Sequence, residues 1–321
     1  MRLALRPALR AAALVLTAAL LAACTDAAEP RDTSRPAPAP RTAAPAAAHS
    51  LTAKLRFPLD RYGITDADQR LLERARDRLA ADCMRRHGLT YVPSRPAKPA
   101  GVGPYTYLYG VDDPVLAAEY GYTDPRALDP KAGVPPRERE LTADEELVLH
   151  GDQDLAPAEV PRTLEAAEAM KGPRFAGREV PVLGCYGDAV LRVNRPRADW
   201  VDPTVLTELA EEAALEANGD PRVKSLLAEW SRCMAAHGHR TKSPLTAREE
   251  LGLVGDARLK EAVEAAVHDV ACKKETRLIP RWSAVDADYQ RRLIADQREL
   301  LDRYDKQHRE RTARARAVLS R

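Results

Sequence analysis

The chain of 321 residues carries 50 Lys and Arg against 48 Asp and Glu, a formal net charge of +2 with histidines neutral. So even a balance sets up no general field for a polyanion, and a nucleic-acid partner is not expected. Aromatics make up only 5% of the residues, helix formers outnumber strand formers and period-two alternation is scarce, which points to a mainly α fold.

The first 23 residues place Arg2, Arg6 and Arg10 ahead of an apolar run too short to span a bilayer at roughly 20 residues, the layout of an export signal. The run ends in Leu21-Ala22-Ala23-Cys24, which resembles a bacterial lipobox. That resemblance implies acylation of Cys24, cleavage before it, and retention on the extracytoplasmic face of the cell membrane. Two or three acyl chains are needed, because one chain, at about 0.8 kcal/mol per buried methylene, binds only marginally. Removing Arg2, Arg6 and Arg10 from the 50 basic residues leaves 47 against 48 acidic in the expected mature chain. Residues 24–56 are rich in Ala and Pro and lack apolar periodicity, so they cannot bury enough surface to offset their ordering entropy. They read as a disordered tether reaching on the order of 50–90 Å from the lipid.

The rest divides into an expected first helical module, 57–200, and a second, 201–321. Thr65 or Asp66 opens a helix whose stripe runs through Leu72, Ala75, Leu79 and Cys83 and which closes at Gly88. Between about 89 and 200 the pattern is irregular. Tyr62-Gly63, Tyr109-Gly110 and Tyr120-Gly121 look like glycine turns feeding helix caps, with Pro114 starting a helix through Glu119. Asp202-Pro203 opens a helix to Gly219, and Asp220 caps another whose stripe of Val223, Leu226, Leu227, Trp230, Cys233, Met234 and His237 ends at Gly238. A helix at about 257–274 shows two apolar faces, as one enclosed in a bundle would. Ser283 with Asp286 resembles a capping box for a long C-terminal helix to about Leu319, whose apolar stripe stops near Tyr304, so that a polar end is expected to project past the core.

One short pattern occurs twice: CMRRHG at 83–88 and CMAAHG at 233–238. Besides Cys24 the chain has Cys83, Cys185, Cys233 and Cys272, and four cysteines in an exported protein allow three disulfide pairings. The economical one gives each CM-x-x-HG helix the next cysteine, Cys83 with Cys185 and Cys233 with Cys272. In the simplest model each bridge removes on the order of 4–5 kcal/mol of unfolded-chain entropy. The competing assignment is a metal site, since Cys233, His237, His268 and Cys272 have helical four-residue spacing, and Met84 and Met234 would suit Cu(I). Zinc fingers bring two cysteines on one short loop, and oxidation claims the same sulfurs, so disulfides are expected and no metal or cofactor. His87 and His237 then serve the helix C-termini.

No HExxH, Gly-x-Ser-x-Gly, Ser-x-x-Lys or phosphate-cradling loop occurs, and no catalytic residue is assigned. The lipobox, the Ala/Pro tether and the two CM-x-x-HG helices, with Trp230 before the second and VACKKE after it, together resemble secreted lipoproteins of high-GC actinomycetes. The resemblance spans most of 57–305, is weakest at about 125–180 and implies no activity. The expectation is a non-catalytic, lipid-anchored envelope protein offering a helical surface to an envelope protein or wall polymer. Arg309, Arg311, Arg314 and Arg316 are candidate contacts to an anionic surface, or cations near a helix C-terminus. The alternatives are a ligand-binding lipoprotein of a transport system, marked by a deep apolar pocket, and an envelope hydrolase, marked by two facing carboxylates. Changing Cys24→Ala is expected to move the protein from the membrane fraction to the medium; unchanged retention on fractionation would contradict the lipid anchor.

Overall fold

The computed structural model describes residues 49–93, 103–128, 139–253 and 260–321. Residues 1–48, which hold the expected signal segment 1–23, Cys24 and most of the expected tether, lie outside the described residues. The described chain is mainly helical. In order come α1 (Asp66–Arg86), α2 (Pro114–Tyr120), α3 (Ala143–His150), α4 (Leu164–Ala169), α5 (Gly184–Asn194), α6 (Val205–Gly219), α7 (Pro221–Ala236), α8 (Ala247–Glu250), α9 (Lys260–Glu275), α10 (Leu278–Asp296) and α11 (Arg298–Leu319). Between α4 and α5 a short antiparallel hairpin, β1 (Arg174–Phe175) and β2 (Arg178–Glu179), pairs Arg174 with Glu179.

Both CM-x-x-HG stretches end a helix in the same way. Gly88 N–H donates to Arg85 O and Leu89 N–H to Met84 O; Gly238 N–H donates to Ala235 O and His239 N–H to Met234 O. This is the Schellman closure, with His as C-cap and Gly just beyond it. Gly88 and Gly238 take φ of 78° and 85°, and a Cβ on either would meet nothing within 4 Å, so the backbone angle alone calls for glycine. His87 Nδ1 does not serve the helix end as expected: it is buried without a hydrogen-bond partner.

One turn before each closure stands a disulfide. Cys83–Cys185 joins α1 to α5 at a Cα separation of 5.5 Å, and Cys233–Cys272 joins α7 to α9 at 5.7 Å. The first lies in a cluster with Met84, Val148, Leu149 and Val180, the second beside the largest core, built on Trp230, Met234, Ile279 and Trp282.

At that core sits a charged pair with no exposed side-chain surface. Lys273 Nζ donates to Asp269 Oδ2 at 3.0 Å and to Val111 O at 2.6 Å, while Trp230 Nε1 donates to Asp269 Oδ1 at 2.9 Å. Burial pushes the Asp269 carboxyl up and the Lys273 ammonium down, and each opposes that push on the other. Next to Val111, Asp112 Oδ2 accepts from Thr52 N–H at 3.1 Å, from the Thr52 hydroxyl at 2.6 Å and from the Ser50 hydroxyl. Residues 49–56, read from sequence as the end of the tether, therefore lie against the folded body. Nearby, Tyr109 donates its hydroxyl to Asp286, whose carboxyl burial pushes up to about 6.

The C-terminal region differs from its expectation in two respects. The single helix from Ser283 is two, α10 and α11, broken at Gln297. α10 starts earlier because the buried Leu278 and Ile279 extend its apolar stripe backwards, with Pro280 in the first turn, where a missing N–H is tolerated. Ser283 and Asp286 form no capping box: the Ser283 hydroxyl donates to Pro280 O at 3.3 Å, and Asp286 is the partner of Tyr109.

Nor does the polar end of α11 project. Ala315 packs with Leu72 and Ala75 of α1 and Val193 of α5, and Thr312 and Arg311 are buried as well. A buried face made of Ala, Thr and an arginine stem escapes a count of large apolar residues. The last helix of the second sequence module thus rests on two helices of the first.

Replacing Lys273→Met is expected to cost about 3–5 kcal/mol by leaving the Asp269 charge unpaired. Adding Asp269→Asn is expected to restore at least about 1 kcal/mol of that loss. Urea unfolding of both variants checks this, and additive losses would contradict the pairing.

Candidate functional site

Among the described residues, a concave feature lined by concentrated charge lies where the α5–α6 connection crosses α11. α5 stops at Asn194 with Arg195 as its C-cap in the left-handed region, φ 48°, and Pro196 cannot continue a helix. The connection then turns at Arg197, whose carbonyl accepts from Trp200 N–H at 3.0 Å. Gln307 of α11 binds the next residue like a strand neighbour: Val201 N–H donates to Gln307 Oε1 at 2.8 Å, and Gln307 Nε2 donates to Val201 O at 3.0 Å. Beneath, Val201 and Val205 pack on Leu59, Leu301 and Tyr304.

Along α11, Arg303, Gln307, Glu310 and Arg314 recur at three- and four-residue spacing and line one wall. Arg195, Arg197, Asp199 and Trp200 line the other, and Lys306 completes five cations against two carboxylates. The enclosed volume is about 80 Å³, far below the roughly 300–1,000 Å³ of a small-molecule pocket. On the far side of Trp200 a wider, open groove of about 480 Å³ continues past Asp202, Thr204, Glu208, Leu300 and Arg303. The half-buried indole of Trp200 thus stands between a basic end and an acidic end, with Arg303 bordering both.

Not every cation here is free to bind. Arg314 Nε donates to Val193 O at 2.8 Å and its Nη2 to Asn194 O at 2.6 Å, closing the last carbonyls of α5. Burial pushes its ionisation down, and the charges of Arg195 and Arg197 act in the same direction. Arg195, Arg197 and Arg303 have no hydrogen-bonded carboxylate among the described residues, and their planar forks match the geometry of phosphate or carboxylate oxygens. The arrangement suits holding an oxyanion with an adjacent ring or chain.

Of the four arginines singled out in the sequence, Arg314 alone reaches this groove. Arg309 pairs with Asp305, Arg311 is buried with its Nε donating to His308 Nδ1 at 3.1 Å, and Arg316 lies near Asp68. Arg314 does serve a helix C-terminus, but that of α5, not of its own helix. Trp200, Arg195, Arg197, Arg303 and Lys306 were not anticipated. The signal was NRPRADWVDP, an aromatic set among arginines in a stretch with helix breakers at both ends.

The sequence-assigned cysteines divide among three places. Cys83 with Cys185 and Cys233 with Cys272 are bridged, away from this groove, and Cys24 is outside the described residues. His87 lies within 4.8 Å of both sulfurs of the first bridge and His237 within 4.8 Å of both sulfurs of the second, so each motif gathers a Cys2His set whose sulfurs the disulfide has taken. No family model, no curated protein and no solved structure matches the chain.

Replacing Gln307→Ala is expected to cost about 1–2 kcal/mol through two lost hydrogen bonds to backbone, and to loosen the connection that carries Trp200. Trp230 and Trp282 are almost fully buried, so acrylamide quenching of tryptophan fluorescence reports on Trp200. The quenching constant is expected to rise in the variant; an unchanged value would contradict the clamp.

Proposed function

We propose that the protein is a non-catalytic, lipid-anchored component of the cell envelope whose helical body presents the Trp200 groove to an anionic envelope partner, a wall polymer or the acidic face of an envelope protein. The observation that carries this reading is the groove itself, three arginines without carboxylate partners among the described residues, set around the half-buried indole of Trp200. Such a surface recognises phosphate or carboxylate groups by paired hydrogen bonds and adds stacking or apolar contact from the ring. The Cys24 lipobox and the Ala/Pro segment support placement outside the membrane at the end of a tether. The neutral overall balance supports a local mode of attraction, since exposed charges act over about 8 Å at physiological salt.

A transport-type ligand protein is less favoured, because the described concavities are small or open and lined by charge. A carboxylate-pair hydrolase is less favoured too, because the two acids of the basic end stand among five cations.

Purified cell-wall polymer, sedimented with the mature chain, is expected to bind it in a salt-sensitive manner. Arg195→Glu with Arg197→Glu is expected to weaken that binding at least tenfold while leaving the melting temperature within a few degrees. Undiminished binding by the double variant would contradict the assignment of the groove.

A further inference from the structure

The two Schellman closures differ at the residue that follows the glycine, Leu89 in the first and His239 in the second. The residue after the glycine usually packs on the helix it closes, and in the first copy Leu89 packs against the cluster that holds Cys83 and Met84. In the second copy the same position is His239, whose Nε2 stands 3.0 Å from Nδ1 of His268 on α9. The C-cap His237 stacks on the other side of the cluster, its ring centroid 4.3 Å from that of His268 with planes 15° apart. Three imidazoles from two segments thus meet at the surface, His237 exposed and the other two half-buried. Glu264 lies one turn before His268 on α9, and its charge acts on His239.

We propose that His237, His239 and His268 form a binding site for a borderline divalent transition-metal cation, Zn²⁺ or Cu²⁺. Nitrogens bound at about 2.05 Å stand about 3.3 Å apart in a tetrahedral site and about 2.9 Å apart at a right angle. The 3.0 Å separation of His239 Nε2 and His268 Nδ1 lies between these values, so the two nitrogens already stand at ligand spacing, and each ring turns to aim its lone pair at the cation instead of at the other nitrogen. In the free pair one ring donates its N–H to the other. On binding, that proton passes through solvent to the distal nitrogen of the same ring, and both facing nitrogens present lone pairs with no change in net protonation. His237 completes the set by rotation of its exposed ring, with Glu264 or water in the fourth position.

The scaffold holds these ligands in place. The Schellman turn fixes His237 and His239 at the end of α7, and the Cys233–Cys272 bridge ties that helix to α9 one turn beyond His268. The disulfide therefore preorganises a site that uses none of its own sulfur.

The test uses the untagged mature chain with its disulfides intact. Zn²⁺ binding is measured by competition with a chromophoric chelator, and Cu²⁺ ligation by electron paramagnetic resonance. The expected result is one cation per chain with a dissociation constant in the micromolar range or tighter, and nitrogen hyperfine splitting from the bound Cu²⁺. His239→Ala and His268→Ala are each expected to weaken binding at least tenfold, while His150→Ala leaves it unchanged. His239→Leu, which installs the residue the first closure carries at Leu89, is expected to keep the fold and lose the metal. Absence of stoichiometric binding to the wild-type chain, or unaltered affinity in His239→Leu and His268→Ala, would overturn the proposal.

Discussion

Lys273 and Asp269 face each other one turn apart on α9 with neither side chain exposed. Two charges taken out of water cost several kcal/mol each unless every remaining hydrogen-bonding capacity finds a partner, and meeting that condition constrains much of the fold. Trp230 has to bring its indole N–H from α7, and the segment after Tyr109-Gly110 has to bring the carbonyl of Val111. The same segment places Asp112 to bind Ser50 and Thr52. The pair also fixes the rotation of α9 about its axis. With Asp269 and Lys273 turned inward, the preceding residues His268 and Cys272 face the end of α7, where His239 and Cys233 meet them.

The repeated motif performs one structural task twice in different surroundings. In both copies a cysteine, buried in the first and half-buried in the second, bridges to a later helix one turn before a glycine closure. The first copy is sealed by Leu89 and carries an apolar cluster. The second stands beside the buried charges and ends in histidines, so it offers polar groups to solvent from a rigid frame. Seen this way, a stapled helix end is a platform whose chemistry depends on the single residue beyond the glycine.

Much of this architecture was legible in the sequence because helix signals are local. Thr65 and Asp220 cap as their positions suggest, the apolar stripes of α1 and α7 face inward except at His237, which is exposed, and the economical disulfide pairing is the one found. What escaped depends on distant partners. The buried Lys273 sits in a KKE run that reads as solvated, because the carbonyl it binds, that of Val111, is 162 residues away, and the indole that completes its partner Asp269 is 39 residues from that carboxylate. The inward face of α11 was missed because Ala315, Thr312 and the stem of Arg311 bury small or amphipathic surface. The Trp200 groove was missed because its cations come from two segments more than 100 residues apart, the Val201–Gln307 pairing spanning 106.

Tether, staples and groove form one physical account. The two bridges and the buried pair hold the helices in register; under the proposed function the acyl anchor and the Ala/Pro segment would set where the body can reach, and the crossing of the α5–α6 connection over α11 would supply the surface that meets the partner. The most direct measurement is site-specific photocrosslinking in living cells, with the photoreactive residue at position 200 and, for comparison, at the exposed Lys224 on α7. The account predicts a recurrent envelope component captured from position 200 and not from position 224. Equal capture from both positions, or none from position 200, would contradict it.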